Sequence, residues 1–385
     1  MLKNRRFALT IVGVAVLIKL FLFVYMSVFS PQGRLLPDSH DYLNNARLLA
    51  QQGVFAQVKD GALQYEVLRT PGYALFLCLF HYILKVPLWG IVLLQILLAV
   101  ATAGIVYRTA QEIDQRTAFL SGVIVLYSLP VTTSALLILS DTLFVFLISL
   151  FFWAFIRYLK NPQTGLAAQS AVFLALATYV RPVSYHLGLL AAVFILYAHW
   201  RSNLRRRIFE AGVFLLLVYG MIAIWQLRNY AHLGRFVFTS IQSDYKTFPM
   251  LHIYAMNSFP VPSGSWLGFS YLNAIWHSFL SLFCRPGTLK YLQSYWINAA
   301  GKIFGYPFMV LWWVGFLVGL AKLKLSLSYQ FIFMAIVYFA ALTIAVVAAS
   351  CGERYLVPMV PLISLISAAG WIRIKDYFTD LKKSP

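Results

Sequence analysis

The sequence predicts an all-α, polytopic membrane protein with about ten transmembrane helices. Three observations lead there. Hydrophobic residues make up 61% of the 385 and charged residues only 11%, whereas soluble domains carry roughly 25% charge. Apolar stretches of about 17–25 residues, the length that crosses ~30 Å of hydrocarbon, recur along the chain. Short basic runs separate them, as topology signals do.

The chain opens with Lys3, Arg5 and Arg6, then an apolar run at 7–29. That run is long and no small-residue cleavage site follows, so it reads as a retained anchor rather than a signal peptide. The next spans are expected at 88–107, 117–136, 142–158, 166–181, 184–200, 209–227, 303–321, 326–350 and 355–372. Between them lie a first outer loop at 30–87 and a long outer loop at 228–302. The long loop contains NSFPVPSGSW and an amphipathic aromatic segment at 270–283 that suits an interfacial helix. No tandem repeat or linker divides the chain, so residues 1–385 read as one membrane domain.

With the N-terminus cytoplasmic, ten spans return the C-terminus to the cytoplasm. Seventeen Lys and Arg residues then fall inside with five acids, Glu112, Asp114, Glu210, Asp376 and Asp380. This satisfies the positive-inside rule. Residues 71–86, PGYALFLCLFHYILKV, are also apolar. Counting them as a crossing would place Arg205, Arg206 and Arg207 outside, so they are expected to form a re-entrant or interfacial helix on the outer side.

A net charge of +19 would suggest nucleic-acid binding in a soluble protein. Here the cations flank apolar spans and read as headgroup contacts, with no nucleic-acid partner. Cys78, Cys284 and Cys351 are scattered and odd in number, so neither a disulfide framework nor a thiolate metal site is expected.

Seven acids fall outside: Asp38, Asp41, Asp60, Glu66, Asp141, Asp244 and Glu353. Several lie at helix ends or in short connections, and Arg181 and Arg228 end two spans. Singly, each has an ordinary explanation as a helix-dipole acid or a snorkelling arginine. Collected on the face opposite the basic runs, they suggest a polar cavity. Its acids would accept a proton or hold a hydroxyl, and its arginines would bind phosphate bidentately.

The first outer loop is the richest stretch. Pro37 precedes Asp38, which can cap the following helix. Asp38 and Asp41, three apart, share a helix face. His40 lies between them, but the spacing matches no zinc signature. Further on, Arg69 precedes TPGY, where it could reach an anionic headgroup.

These elements resemble a known family. PDSHDY at 37–42, NARLLAQQGVFA, RTPGY at 69–73, LLILSDTLFVFL at 136–147, LALATYVRP at 174–182, WQLRNY at 225–230 and GERYLVPMVPL at 352–362 occur in an order similar to the C-type membrane glycosyltransferases. These draw sugar from a polyprenyl-phosphate carrier, and include the protein O-mannosyltransferases and lipid A aminoarabinose transferases. No single motif is strong, but the ordered set covers most of the chain.

The resemblance implies a C-type architecture, with outer-face juxtamembrane helices, and a sugar transferase of the cell membrane. Its site would be non-cytoplasmic. Asp38 matches the family's first-loop catalytic acid. Many members carry a second acid directly after it, where this chain has Ser39, and the next carboxylate is Asp41. Asp141 matches the acid before a later span. Arg69 matches the residue proposed to meet the donor phosphate. Arg181 and Arg228 fit recurrent arginines at outer helix ends, and Glu353 and Arg354 fit the late ERY element. The donor implied is a polyprenyl-phosphate sugar, the acceptor a glycan, lipid or protein. No tightly bound cofactor is expected, and a divalent metal only through the clustered acids. The chain is shorter than many relatives.

Two other function classes fit parts of the pattern. A transporter or flippase would suit ten spans and Lys19 within the first of them, although transporters favour paired repeats and mid-depth sites. A polymerase or ligase of lipid-linked glycans would use a similar outer cavity.

Overall fold

A computed structural model describes residues 2–59, 62–198, 204–239, 268–285, 289–324, 326–347 and 353–381. The first anchor is α1 (Leu2–Phe29). The segment 30–87 holds α2 (Pro37–Gln52), a hairpin of β1 (Ala56–Lys59) and β2 (Ala62–Tyr65), and α3 (Pro71–Leu77), which runs on as a π-helical turn to Ile83. The strands pair antiparallel with Ala56 opposite Tyr65. There follow α4 (Leu88–Ile113), α5 (Ala118–Tyr127), α6 (Leu129–Leu136), α7 (Asp141–Lys160), α8 (Thr164–Val180), α9 (Leu187–Tyr197) and α10 (Leu204–Leu233). Last come α11 (Gly268–Phe283), α12 (Tyr295–Gly319), α13 (Leu327–Val347), α14 (Glu353–Leu356) and α15 (Val360–Leu381).

Among the described residues, seven helical segments are long and apolar enough to cross a membrane, and the bent pair α5–α6 makes an eighth. This is an integral membrane fold. α8, with 17 residues, lies close to the expected 166–181, but the expected span 184–200 differs: α9 has only 11 residues. Pro182 is the cause. A residue before proline is driven to extended backbone, and Arg181 ends α8 at φ −145°, ψ 127°. The connection lines a cavity, where non-helical backbone is tolerated at membrane depth.

Pro130 breaks the α5–α6 span by 48°. Proline has no N–H, so the carbonyl four residues back loses its helical partner. That carbonyl belongs to Leu126, and it accepts from Lys19 Nζ at 2.7 Å. Lys19 also donates to Thr132 Oγ1 at 2.6 Å and is 2% exposed. The cation within α1 thus completes the backbone bonding of a neighbouring span.

The helices differ in what surrounds them. The apolar window of the last span is 83% buried inside the protein, that of α1 only 17%. α15 is therefore the central helix, and α1 faces lipid. α12 reaches α15 through glycines. A Cβ on Gly370 would overlap the Gly315 carbonyl, and one on Gly319 would overlap that of Ile366. Small residues four apart permit such contact between membrane helices.

Helix ends sort to two ends of the bundle. At one end, Arg206 of α10 pairs with Glu210 and bonds the Pro162 carbonyl, and Arg116 pairs with Asp376 of α15. At the other, Ile138 N–H donates to the Arg34 carbonyl, Ser30 Oγ to that of Tyr291, and Thr70 Oγ1 to that of Val180. α3 begins at this second end. A Cβ on Gly72 would sit 2.7 Å from the Tyr179 carbonyl, so the glycine of TPGY lets α3 rest on the end of α8.

Candidate active site

The second end carries an alternating chain of acids and arginines. Arg69 Nη2 donates to Asp41 Oδ2 at 3.0 Å and to Asp38 Oδ1 at 2.7 Å. Arg354 Nη1 donates to Asp38 Oδ2 at 2.7 Å, and its Nε to Asp141 Oδ2 at 2.8 Å. Arg181 Nη1 closes the series on Asp141 Oδ1. The six charges come from α2, the loop before α3, the start of α7, the end of α8, and α14.

Local sequence explains each placement. Pro37 opens α2, and Asp38 sits in its first turn, where the helix dipole favours a carboxylate. Asp38 does not cap the helix, contrary to expectation. Ser39 Oγ accepts the Leu36 N–H at 2.9 Å instead, which leaves both Asp38 oxygens for arginines. Asp41 is one turn on and more open. Asp141 begins α7 and its side chain is fully buried. Tyr42 OH bonds Ser140 Oγ at 3.1 Å, and its ring lies 5.3 Å from the Arg69 guanidinium. The Tyr355 ring lies under Arg181 at 6.0 Å.

A cavity of about 640 Å³ opens beside the chain. Its lining includes Asp38, Tyr42, Arg69, Arg181, Arg354 and Tyr355, together with Tyr185, His186, Gln226 and Phe236–Thr239. Asp141 is bonded to Arg181 and Arg354 but lies outside the lining. Burial pushes the Asp38 carboxyl up, but the bonded Arg354 and Arg69 guanidiniums outweigh it and hold the group below its ordinary value of 3.8. The site therefore presents the Asp38 carboxylate bonded by two guanidiniums, with a third, Arg181, on the neighbouring Asp141.

Arg228 lies elsewhere. It donates to the carbonyls of Phe55 at 2.6 Å and Glu66 at 3.1 Å, and stacks 4.7 Å from the Trp225 ring. Glu353 begins α14, but its side chain lies outside the described residues, as do Asp60, Asp244 and the whole stretch 240–267, which includes NSFPVPSGSW. Among the described residues, no three His, Cys, Asp or Glu side chains gather as metal ligands. The oxygens of Asp38 and Asp141 are taken by arginines.

Two supporting residues differ from the sequence expectation, which gave Gln95 no role and Glu66 only a place among the cavity acids. Gln95, inside α4, donates to the Ala135 carbonyl at 3.2 Å and to that of Leu137, and accepts from Tyr73 OH at 2.6 Å. It holds the frayed end of α6, just before Asp141. Its signal was a lone amide within an apolar span. The other is Glu66, a buried acid that forms no ion pair among the described residues, although its charge acts on nearby Arg228.

Residues 69–225 match the family model described as dolichyl-phosphate-mannose-protein mannosyltransferase. No curated protein matches the chain in sequence. Among solved structures, ArnT from Cupriavidus metallidurans bound to undecaprenyl phosphate is similar over 94% of this chain and 60% of its own, with TM-score 0.59 and 14% identity. The apo oligosaccharyltransferase of Archaeoglobus fulgidus is similar over 97% of this chain and 52% of its own, with TM-score 0.59 and 12% identity. The fold is the C-type glycosyltransferase fold. AglB from Archaeoglobus fulgidus, solved with an inhibitory peptide and a dolichol-phosphate, shares it over 98% of this chain at TM-score 0.57 and 9% identity. The chain spans only half to three fifths of the length of these C-type proteins.

Proposed function

We propose that the protein transfers a sugar from a polyprenyl-phosphate donor to an acceptor at the non-cytoplasmic membrane face, by direct displacement with inversion. The observation that carries this reading is the alternating chain Asp41–Arg69–Asp38–Arg354–Asp141–Arg181 along a cavity at one end of the bundle. C-type structures bound to undecaprenyl phosphate and to a dolichol-phosphate support a lipid-phosphate ligand. The basic run at Arg205–Arg207 opens α10 at the opposite end of the bundle, which supports an outward-facing site.

The acceptor hydroxyl oxygen attacks the anomeric carbon from the side opposite the carrier. The bond from that carbon to the phosphate oxygen breaks through an oxocarbenium-like transition state. Asp38 takes the acceptor's proton, and the lipid phosphate leaves carrying the bonding electron pair. Arg69, Arg354 and Arg181 bind its developing charge, which lowers the barrier to the extent that they hold it more tightly than the donor. No acid is needed at that oxygen, since a phosphate leaves unprotonated. Asp41 and Asp141 orient the arginines.

Donor phosphate and carboxylates compete for the same guanidiniums. As Arg354 and Arg69 turn towards phosphate, Asp38 loses the partners that depress its basicity. The carboxylate is then a better base with donor present than without it.

The test is transfer by purified protein in nanodiscs, using a labelled polyprenyl-phosphate sugar. Asp38→Asn is expected to cut kcat by about 10²–10⁴ while the lipid still binds. Near-normal turnover by that variant would remove Asp38 as the base. Absence of transfer from any lipid-phosphate sugar by the intact chain would refute the function.

A further inference from the structure

Arg69 owes its place to a loop that another acid holds. The Glu66 side chain is buried, and its Oε1 accepts the N–H groups of Leu68 at 2.6 Å and Arg69 at 3.1 Å. Its Oε2 accepts from Asn45 Nδ2 at 3.2 Å and from Gln57 Nε2. Four donors thus converge on one carboxylate, two of them main-chain groups that form a small anion nest.

The main chain of Glu66 is fixed as well. Its N–H donates to the Phe55 carbonyl at 3.1 Å, and its own carbonyl accepts from Arg228. Thr70, on the far side of Arg69, is tied to the end of α8. The Arg69 backbone is therefore held on both flanks, while its guanidinium hydrogen-bonds the exchangeable carboxylates of Asp38 and Asp41 and lies over the Tyr42 ring. A guanidinium that exchanges a carboxylate for a phosphate keeps its aim only if its backbone stays still, and preorganisation of this kind is a source of affinity.

We propose that Glu66 is a positioning residue that sets the site's affinity for phosphate through Arg69, without touching the phosphate. The proposal rests on the reading of the cavity as a lipid-phosphate site. It also gives Arg228 a place, as the clamp on the same loop rather than a phosphate ligand.

The experiment is a double-mutant cycle on the full chain in nanodiscs, with undecaprenyl phosphate as the probe and its affinity as the readout. Arg69→Ala and Glu66→Ala are each expected to weaken binding about tenfold or more, the size of one lost charge-assisted hydrogen bond. The double variant is expected to bind no more weakly than Arg69→Ala alone. Glu66→Ala combined with Arg354→Ala should weaken binding by both factors. Glu66→Gln keeps one acceptor for the two N–H groups and should restore part of the affinity. If Glu66→Ala does not fold, the cycle runs with Glu66→Gln.

Equal weakening by the Glu66 substitution with and without Arg69 would overturn the proposal, as would unchanged affinity in the single variant. If Arg69→Ala itself binds normally, the lipid-phosphate reading of Arg69 fails, and this inference with it. If Arg69→Ala binds weakly but the cycle is additive, only the inference fails.

Discussion

Arg354 and Asp141 are joined by an Nε–Oδ2 hydrogen bond of 2.8 Å, although 213 residues separate them in the chain. The same guanidinium reaches Asp38 through Nη1. One side chain on a four-residue helix thus ties the start of α7 to the start of α2. A planar fork can serve two carboxylates at once, and an ammonium on a flexible stem does so poorly.

Arg354→Lys is therefore expected to fail as a conservative replacement. It should leave Asp38 or Asp141 short of a partner, and Asp141 is fully buried. Breaking a buried ion pair from one side costs about 3–5 kcal/mol, of which Arg181 on the same carboxylate should recover part. Thermal unfolding in detergent should show a lowered Tm for both Arg354→Lys and Arg354→Ala. Asp141→Asn combined with Arg354→Ala should be less than additive.

The acid limb of the pH profile should report Asp38. Arg354 and Arg69 hold its carboxyl below 3.8, so the ionised form persists as pH falls past that point. The contribution to stability is complete above the unfolded value and is lost as pH falls through the lower folded one. In kcat/KM, Arg354→Ala should move the acid limb upwards, towards or above the ordinary carboxylate value. The limb of kcat should lie higher than that of kcat/KM in the intact protein, since bound donor draws the arginines away. Coincident limbs would argue against competition between phosphate and Asp38 for the same guanidiniums.

How much of this was legible in the sequence depends on the range of the interaction. Span positions follow from local apolar runs, and α4, α7 and α13 lie close to the expected limits. Charge parity predicts that 71–86 does not cross, and α3 begins against the end of α8. Arg181 and Arg228 look alike in sequence, each ending a span beside aromatic residues. Only the packing of the first outer loop separates them, because the carbonyls of Phe55 and Glu66 reach Arg228 while Asp141 reaches Arg181. The shortness of α9 was hidden because hydropathy cannot see where Pro182 redirects the chain. Ser39, a departure from the family pattern, proved to be the residue that closes the first turn of α2.

Lys19 and Pro130 should be energetically coupled. Lys19→Met leaves the Leu126 carbonyl without a donor, a loss of about 1–3 kcal/mol for a buried unsatisfied group. Pro130→Ala restores an N–H four residues ahead of that carbonyl. The double variant should therefore be more stable than Lys19→Met alone, by thermal unfolding of the purified protein. Equal loss in both backgrounds would mean that Lys19 acts through something other than the broken span. Transfer activity in Lys19→Met protein that remains folded should change little, since the cation lies outside the cavity lining.

Gly72 offers a test of how closely the outer helices set the site. Its Cβ position faces the Tyr179 carbonyl at 2.7 Å and the Val180 nitrogen at 2.8 Å, which is main chain and cannot swing aside. Gly72→Ala must push α3 off the end of α8. Thr70, whose Oγ1 bonds the Val180 carbonyl at 3.0 Å, would go with it, and Arg69 is the next residue back. The expected result is a loss of donor affinity out of proportion to the loss of stability, because overpacking costs about 1–3 kcal/mol while Arg69 loses its aim at the phosphate. Gly104, by contrast, has open space at its Cβ position and lies on a span that the cavity does not use. Gly104→Ala should leave both binding and turnover intact. Equal effects of the two substitutions on undecaprenyl phosphate affinity would show that the contact between α3 and α8 does not govern the site.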